Sequence, residues 1–172
     1  MKLKNILIAS SIFSVLAGPM AFALSDSDIA EIMKTANKAE IDAGKMAKSK
    51  ASNSQVKDFA KMMVDAHEEN MKDGKKIEKK EKIKSETTDT SKDLKSSTKD
   101  QLAELKKKKG SDFDKAYIDN QVAMHQQLLN DLDNKFIPAA TNPEFKTYLQ
   151  NTREHVQKHL SKAQEIQSTM TK

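Results

Sequence analysis

The sequence predicts an all-α protein built as a four-helix bundle. Of its 172 residues, 32% are charged and 5% are aromatic, with four Gly and no Trp. This composition is typical of helical bundles. Apolar residues recur at the 3.6-residue spacing of amphipathic helices in four separate segments, and no alternating pattern long enough for a strand lies between them.

The first 23 residues have the pattern of a secretory signal peptide. Two lysines precede an apolar run over residues 6–18, and Ala21-Phe22-Ala23 has the small residues of a cleavage site. The run is interrupted by serines and is short for a membrane span. We therefore expect cleavage after Ala23. The mature chain, residues 24–172, would be a periplasmic or secreted domain with no transmembrane span.

Helix A is predicted to begin after Ser25, a residue type that caps helices, and to end near Lys50. Glu40 lies within its apolar face. A buried carboxylate is costly unless it is paired, hydrogen-bonded or bound to a metal, so Glu40 is a candidate functional residue. Helix B follows a capped turn at residues 52–55 and places His67 on its inward face.

The connection between helices B and C is long. Residues 85–99 are predicted to be a mobile connector, because eight of the fifteen are Ser or Thr and only Leu94 is bulky and apolar. A short helix over residues 98–108 is predicted to end at Gly110. The connection is long enough to cross the bundle, which would make helices B and C parallel.

Segment 72–109 contains fourteen lysines and eight acids. This excess of positive charge could attract an anionic component of the cell envelope, or it could form only a solvated surface. The formal net charge of the whole chain is +5, which does not by itself indicate a nucleic-acid partner.

Helix C is predicted to begin with Ser111 as its cap and with Asp114 three residues later, as in a capping box. It is expected to end near Phe136, because Pro138 disfavours helix in the residue before it. Helix D is predicted to start at Asn142-Pro143-Glu144, which combines a cap, a first-turn proline and an early acid.

Helices C and D both point polar residues inward. Tyr117, Gln121 and His125 follow one another at four-residue steps and line one stripe of helix C. On helix D, His159 lies on the inner face and His155 precedes it by one turn. These side chains need polar partners on the other helices.

The chain resembles the DUF4142 family of secreted bacterial proteins, and the likeness covers nearly all of the mature region. It is carried by Ala39-Glu40-x-x-x-Gly44-Lys45-x-Ala47, Phe59-Ala60-x-x-Met63-Val64-x-x-His67, Phe113-Asp114-x-x-Tyr117-x-x-x-Gln121-x-x-x-His125 and His159-Leu160-x-x-Ala163. The resemblance implies a ferritin-like helical bundle exported to the bacterial envelope, and it implies no established activity. The motif residues that it carries over are Glu40, His67, Asp114, Tyr117, Gln121, His125 and His159.

Two hypotheses explain the inward polar residues. In the first, one divalent transition-metal ion is bound by candidate ligands drawn from Glu40, His67, His125 and His159, since imidazole suits Zn, Cu, Ni and Fe. In the second, the same residues form a buried hydrogen-bond network with Tyr117 and Gln121 that fixes the helix register. A di-iron centre is disfavoured, because valines stand three residues before His67 and before His159, where a Glu would be required.

The sequence favours a binding or structural protein over an enzyme. The chain has no Cys, which excludes a thiol nucleophile, and it has no G-x-S-x-G motif and no phosphate-binding glycine loop. We therefore expect a non-catalytic periplasmic or envelope protein with a structural, stress-related or interaction role. The alternative is a ferritin-like bundle that binds a transition metal for storage, buffering or sensing.

Overall fold

A computed structural model describes residues 24–170, and these residues are helical with no strand. The predicted signal peptide, residues 1–23, lies outside the described residues. Within residues 24–170, no helix is both long enough and apolar enough to cross a membrane. The helices in chain order are α1 (Asp26–Lys50), α2 (Ser54–Glu81), α3 (Asp89–Lys107), α4 (Gly110–Asp131), a π-helical segment (Leu132–Phe136), α5 (Ile137–Ala139) and α6 (Pro143–Met170).

The predicted starts of helices A and D are confirmed. Ser25 and Asp28 form a capping box at the start of α1, in which each side chain accepts a hydrogen bond from the other residue's backbone N–H. At the start of α6, the side-chain oxygen of Asn142 accepts a hydrogen bond from the N–H of Phe145 at 2.9 Å. Local capping chemistry therefore fixed both boundaries.

One end of the molecule is organised around Asp26. Its carboxylate accepts hydrogen bonds from the N–H groups of Thr141 and Asn142, just before α6, both at 3.0 Å. The side-chain amide of Asn142 donates to Glu81, the last residue of α2, at 2.9 Å. The start of α1, the end of α2 and the start of α6 therefore lie together.

The opposite end is organised around Asp114, in the first turns of α4. Its carboxylate accepts hydrogen bonds from the N–H groups of Ser52 and Asn53, which precede α2. Near the end of α6, Gln167 donates to Asp119 of α4 at 2.8 Å. It follows that α2 and α4 run in the same direction, and that α1 and α6 run in the opposite direction.

The largest correction to the sequence prediction concerns residues 85–99. The structure has a single helix, α3, from Asp89 to Lys107, where the sequence predicted a mobile connector and then a short helix over residues 98–108. A capping box between Thr88 and Ser91 starts the helix. Leu94 and Leu105, three turns apart, are both buried, and α3 packs on α1. The cap and the two buried leucines favour a helix in a segment that composition alone described as too polar.

Both predicted ends of helix C are also corrected. Ser111 does not cap α4, which begins at Gly110 without a side-chain cap, and Asp114 binds the turn before α2 instead of closing a capping box. The helix does not stop at Phe136, because a π-helical turn over Leu132–Phe136 leads into the helical residues Ile137–Ala139. The N–H of Ile137 bonds to the carbonyl of Leu132, and this wider turn carries the chain past Pro138.

A close contact fixes α1 against α2. A Cβ atom at Gly44 would lie 2.8 Å from Val64 Cγ2 and 3.1 Å from the Ala60 carbonyl oxygen, so only glycine fits there without displacing these atoms.

Helix α2 is continuous from Ser54 to Glu81 through Gly74, a point that the sequence left open.

Two apolar clusters fill the interior, and a polar layer lies between them. One cluster includes Ile29, Leu132 and Phe145, near the Asp26 end. The other includes Phe59 and Phe113, near the Asp114 end. The buried polar residues of the layer between them are Asn37, Glu40, His67, Gln121, His125 and His159.

Candidate metal centre

Three histidines from three different helices meet in the polar layer. His67 lies on α2, His125 on α4 and His159 on α6, and all three are buried, with 5%, 1% and 8% of their surfaces exposed. Their ring centroids are 6.0 Å, 5.4 Å and 5.5 Å apart for the pairs 67–125, 67–159 and 125–159. One ligating nitrogen from each ring lies within 4.8 Å of the other two. We call these residues the histidine cluster.

A hydrogen bond from His67 to Asn37 of α1 determines which nitrogen of His67 keeps a lone pair. The His67 Nδ1 atom lies 2.8 Å from Asn37 Oδ1, which can only accept, so Nδ1 carries the proton. In neutral imidazole the other nitrogen then has a lone pair. That atom, His67 Nε2, is buried and has no hydrogen-bond partner among the described residues.

His125 is oriented in the same way by its own helix. Its Nδ1 atom donates to the backbone carbonyl of Gln121 at 2.9 Å, which leaves Nε2 as a buried lone pair with no partner in residues 24–170. In His159 the corresponding buried atom without a partner is Nδ1. Each ring therefore has one buried nitrogen that the described protein does not satisfy, which is rare for polar atoms in a core.

The hydrogen-bond chain behind His67 extends to α2 and α6. Asn37 Nδ2 donates to Asn70 Oδ1 at 2.8 Å, and Asn70 Nδ2 donates to Thr152 Oγ1 at 2.7 Å. The hydroxyl of Tyr148 also donates to Asn70 Oδ1, at 2.8 Å, in space left open by Gly74. This chain holds the His67 ring in a fixed orientation, as hydrogen-bonded residues behind metal-binding histidines do.

The sequence prediction missed Asn37 and the residues behind it. Asn37 lies on the inward face of α1, four residues after Met33 and three before Glu40, so its position was visible in the apolar pattern. Asn70 is three residues from His67 on α2. Buried amides at helix spacing from a buried histidine are the signal that could have identified both.

Glu40 lies beside the cluster and is not one of its three members. Its carboxylate accepts a hydrogen bond from Gln121 Nε2 at 2.8 Å. Burial raises the pKa of Glu40 to about 7. This hydrogen bond is one of those that the network hypothesis requires, and the network as a whole stays a prediction. The buried hydroxyl of Tyr117 has no hydrogen bond to another described residue. Its pKa is raised, mainly because the hydroxyl is buried and to a smaller extent because Glu40 is nearby.

The three imidazoles are held in their neutral form. Burial lowers the pKa of His67 well below its usual value, and the neighbouring His125 and His159 lower it further. Burial also lowers the pKa of His125 to about 4, and that of His159 to about 4. A metal ion binds the neutral imidazole, so at neutral pH no proton has to be removed before binding.

The spacing of the cluster is close to that of a bound metal ion. Zinc–nitrogen bonds of about 2.0–2.1 Å place tetrahedral ligand atoms about 3.3 Å apart. From separations of up to 4.8 Å, ring movements of about 1 Å would bring the nitrogens to that distance. Three neutral imidazoles form a ligand set suited to Zn, Cu, Ni, Co or Fe.

His155, the fourth histidine, does not enter the cluster. It is exposed on α6 and lines an open groove between α2 and α6, which His159 also lines. His159 therefore lies between this groove and the interior of the molecule.

Most lysines of segment 72–109 lie in the second half of α2 and in helix α3, and the other four, Lys82, Lys84, Lys108 and Lys109, lie in the connections that follow these helices. Lys76, Lys80, Lys92 and Lys107 form ion pairs with Asp73, Glu144, Asp89 and Glu104. Part of the positive charge is thus matched within the molecule, and an anionic envelope partner remains a prediction.

Comparison with protein families places the chain in context. The family model described as a domain of unknown function, DUF4142, matches residues 14–166. No curated protein and no solved structure matches the chain.

Proposed function

The chain belongs to the DUF4142 family, and within that family we propose that it binds one divalent transition-metal ion through His67, His125 and His159. The proposal is carried by the meeting of three buried histidines from three helices, each of which offers a ligand nitrogen within 4.8 Å of the others and has one buried ring nitrogen with no partner in the described protein. A hydrogen-bond network built only to fix the helix register would be expected to pair these atoms with one another or with their neighbours.

The arrangement around the cluster supports the same function. Asn37 and the Gln121 carbonyl accept hydrogen bonds from the rear nitrogens of two rings, as in metal sites where a second protein group fixes the tautomer of the ligand. The three ligands come from three helices, so a bound ion would tie α2, α4 and α6 together. We propose that the protein holds the ion for storage, buffering or sensing and does not act as an enzyme.

A ferritin-like four-helix bundle in the periplasm is part of this proposal. Support for the fold comes from the parallel course of α2 and α4, which are joined by a connection running back along α1, since ferritin-like folds have one such long crossover. Support for the compartment comes from the signal-peptide pattern of residues 1–23.

Elemental analysis of the protein, purified without an affinity tag or chelator, tests the function. We expect about one equivalent of a single transition metal in the natural protein, and none in the variant His67→Ala/His125→Ala. The matched control is His155→Ala, which removes an exposed histidine from α6 one turn before His159. It should keep the metal.

A thermal melt of the metal-free protein gives a second measurement. An ion that binds only the folded state stabilises it by RT ln(1 + [L]/Kd), so the melting temperature rises with the concentration of free ion. We expect Zn, Ni, Co or Cu to raise the melting temperature of the natural protein and of His155→Ala. A natural protein that contains no metal and whose melting temperature responds to none of these ions would refute metal binding.

A further inference from the structure

The histidine cluster offers three ligands, and the structure shows no fourth. Within residues 24–170, the group of His, Cys, Asp and Glu side chains close enough to hold an ion consists of His67, His125 and His159 alone. A four-coordinate ion with three protein ligands keeps one position for a molecule from outside. What could occupy that position depends on the space beside the cluster.

A cavity of about 130 Å³ adjoins the cluster, and His67 and His125 form part of its wall. Engineered apolar cavities of about 150 Å³ hold a molecule of the size of benzene. The space beside these two histidines is therefore sufficient for a small molecule, and too small for a peptide, a nucleotide or a sugar chain.

Most of the cavity wall is apolar, with side chains such as Ile32, Leu128 and Val156. Two of its polar groups already have partners, because Asn37 accepts from His67 and Thr152 accepts from Asn70. The wall offers few polar groups to orient a ligand. A ligand here would be held mainly by its bond to the ion.

The charge of the site selects the kind of ligand. A divalent ion bound by three neutral imidazoles keeps its two positive charges in a buried place, and buried charge is costly unless it is compensated. Glu40, which also lines the cavity, is the one acidic side chain in its wall, and its ionised form would offset one charge. A monovalent anion on the ion would offset the other.

We propose that an ion bound by His67, His125 and His159 keeps an open coordination position toward this cavity and binds a small monovalent anion there. This inference rests on the proposed metal binding and adds the class of ligand. Hydroxide from solvent and azide share the required chemistry, since each is small, has charge −1 and binds through one atom.

Cobalt(II) and azide test the inference, because the visible spectrum of Co(II) changes when a ligand in its coordination shell changes. The full mature chain is loaded with Co(II) and titrated with sodium azide. We expect a saturable change in the visible bands. If Co(II) binds to the histidines and its spectrum does not respond to azide, the open position is refuted while metal binding stands. If no Co(II) binds, metal binding and the inference fail together.

A variant that fills the cavity shows where azide binds. Ala36 lines the cavity, and Ala36→Leu would occupy part of its volume without replacing a ligand residue. Ala103→Leu, at an exposed position on α3, makes the same chemical change away from the site. We expect Ala36→Leu to bind Co(II) and to lose azide affinity by about tenfold or more. Ala103→Leu should match the natural protein.

Equal azide affinity in Ala36→Leu and the natural protein would overturn the assignment of the cavity. Circular dichroism checks that each variant is folded. If Ala36→Leu fails to fold, the azide titration of the natural protein still decides whether the open position exists.

Discussion

Asp114 and the histidine cluster are both buried and polar, but they differ in how many partners the protein gives them. Asp114 is 1% exposed, and its two oxygens accept hydrogen bonds from Ser52 N–H, Asn53 N–H and the Ser52 hydroxyl. His67, His125 and His159 are also buried, and each keeps one nitrogen without a partner in the described protein. Asp114, whose bonding capacity is met inside the protein, serves the fold, whereas three histidines that meet with unmet nitrogens point to a ligand.

Acid should affect the histidine cluster most strongly, and this is the largest of the expected effects. The folded-state pKa of His125 and of His159 is about 4, below the usual 6.5, and that of His67 is also lowered. Between pH 6.5 and 4 the unfolded chain binds more protons on these residues, so the metal-free protein should lose stability as pH falls, on the order of several kcal/mol.

Glu40 opposes this trend. Its pKa is raised to about 7, so between pH 4.5 and 7 the folded state holds a proton that the unfolded state releases, which favours folding at lower pH. The destabilising effect of the three histidines exceeds the stabilising effect of the single carboxyl group, so the protein should lose stability on acidification. Urea titrations of the metal-free protein at pH 7, 6, 5 and 4 measure it, and a midpoint that rises as the pH falls would contradict it.

Removing Asp114 should come next in size. Asp114→Ala takes away the acceptor of the part-buried N–H groups of Ser52 and Asn53 and removes the link between α4 and the turn before α2. We expect a loss of about 3 kcal/mol in the free energy of unfolding, measured in urea. The folded variant should still bind one metal ion. The matched control is Asp112→Ala, at an exposed carboxylate in the same turn of α4, which should change stability little.

Asn37 connects the two kinds of polar site, because it satisfies one nitrogen of His67 and leaves the other free. Asn37→Ala should weaken zinc binding by about 10–100-fold, as loss of the residue behind a ligand commonly does. Asn37→Asp keeps the accepting oxygen and should restore most of the affinity.

A competition titration with a chelating dye measures these affinities, with exposed Lys38→Ala as control. If Asn37→Ala and Asn37→Asp bind zinc as tightly as the natural protein, Asn37 has no part in orienting His67.

The smallest change is expected for the stability of a metal-free protein that lacks one cluster histidine. His125→Leu removes a nitrogen without a partner together with one hydrogen bond to the Gln121 carbonyl. The unfolding free energy should change by about 1 kcal/mol or less, although zinc binding is lost. His155→Leu is the control that keeps the metal. A loss as large as that of Asp114→Ala would mean that His125 supports the fold in the same way as Asp114.

The all-α class and the family were predictable from the sequence, because both depend on patterns that a linear chain displays. Helix spacing is visible residue by residue, and so are local caps such as Ser25 with Asp28. The prediction was wrong for residues 85–99, since two leucines separated by polar residues do not reveal that they pack on α1. Composition cannot report a contact with another helix.

The candidate site was predictable in its histidines and not in its geometry. His67, His125 and His159 stood out because each is a polar residue on an inward face. Their heights along three helices, the position of Glu40 beside the cluster and the role of Asn37 depend on how α1, α2, α4 and α6 slide against one another. Close contacts such as that of Gly44 with Val64 set the relative positions of the helices, and these positions cannot be read from the residue spacing within one helix.

The distribution of the three histidines over α2, α4 and α6 also affects when the metal site can form during folding. Contacts between neighbouring helices such as α1 and α2 join residues close in sequence and can form early, whereas His159 must be brought back to His67 by the last helix of the chain. A pocket of three nitrogens exists only once α6 has docked. Uptake of an ion during refolding would therefore be no faster than this final step. The rate at which the visible bands of bound cobalt develop would then report when folding is complete.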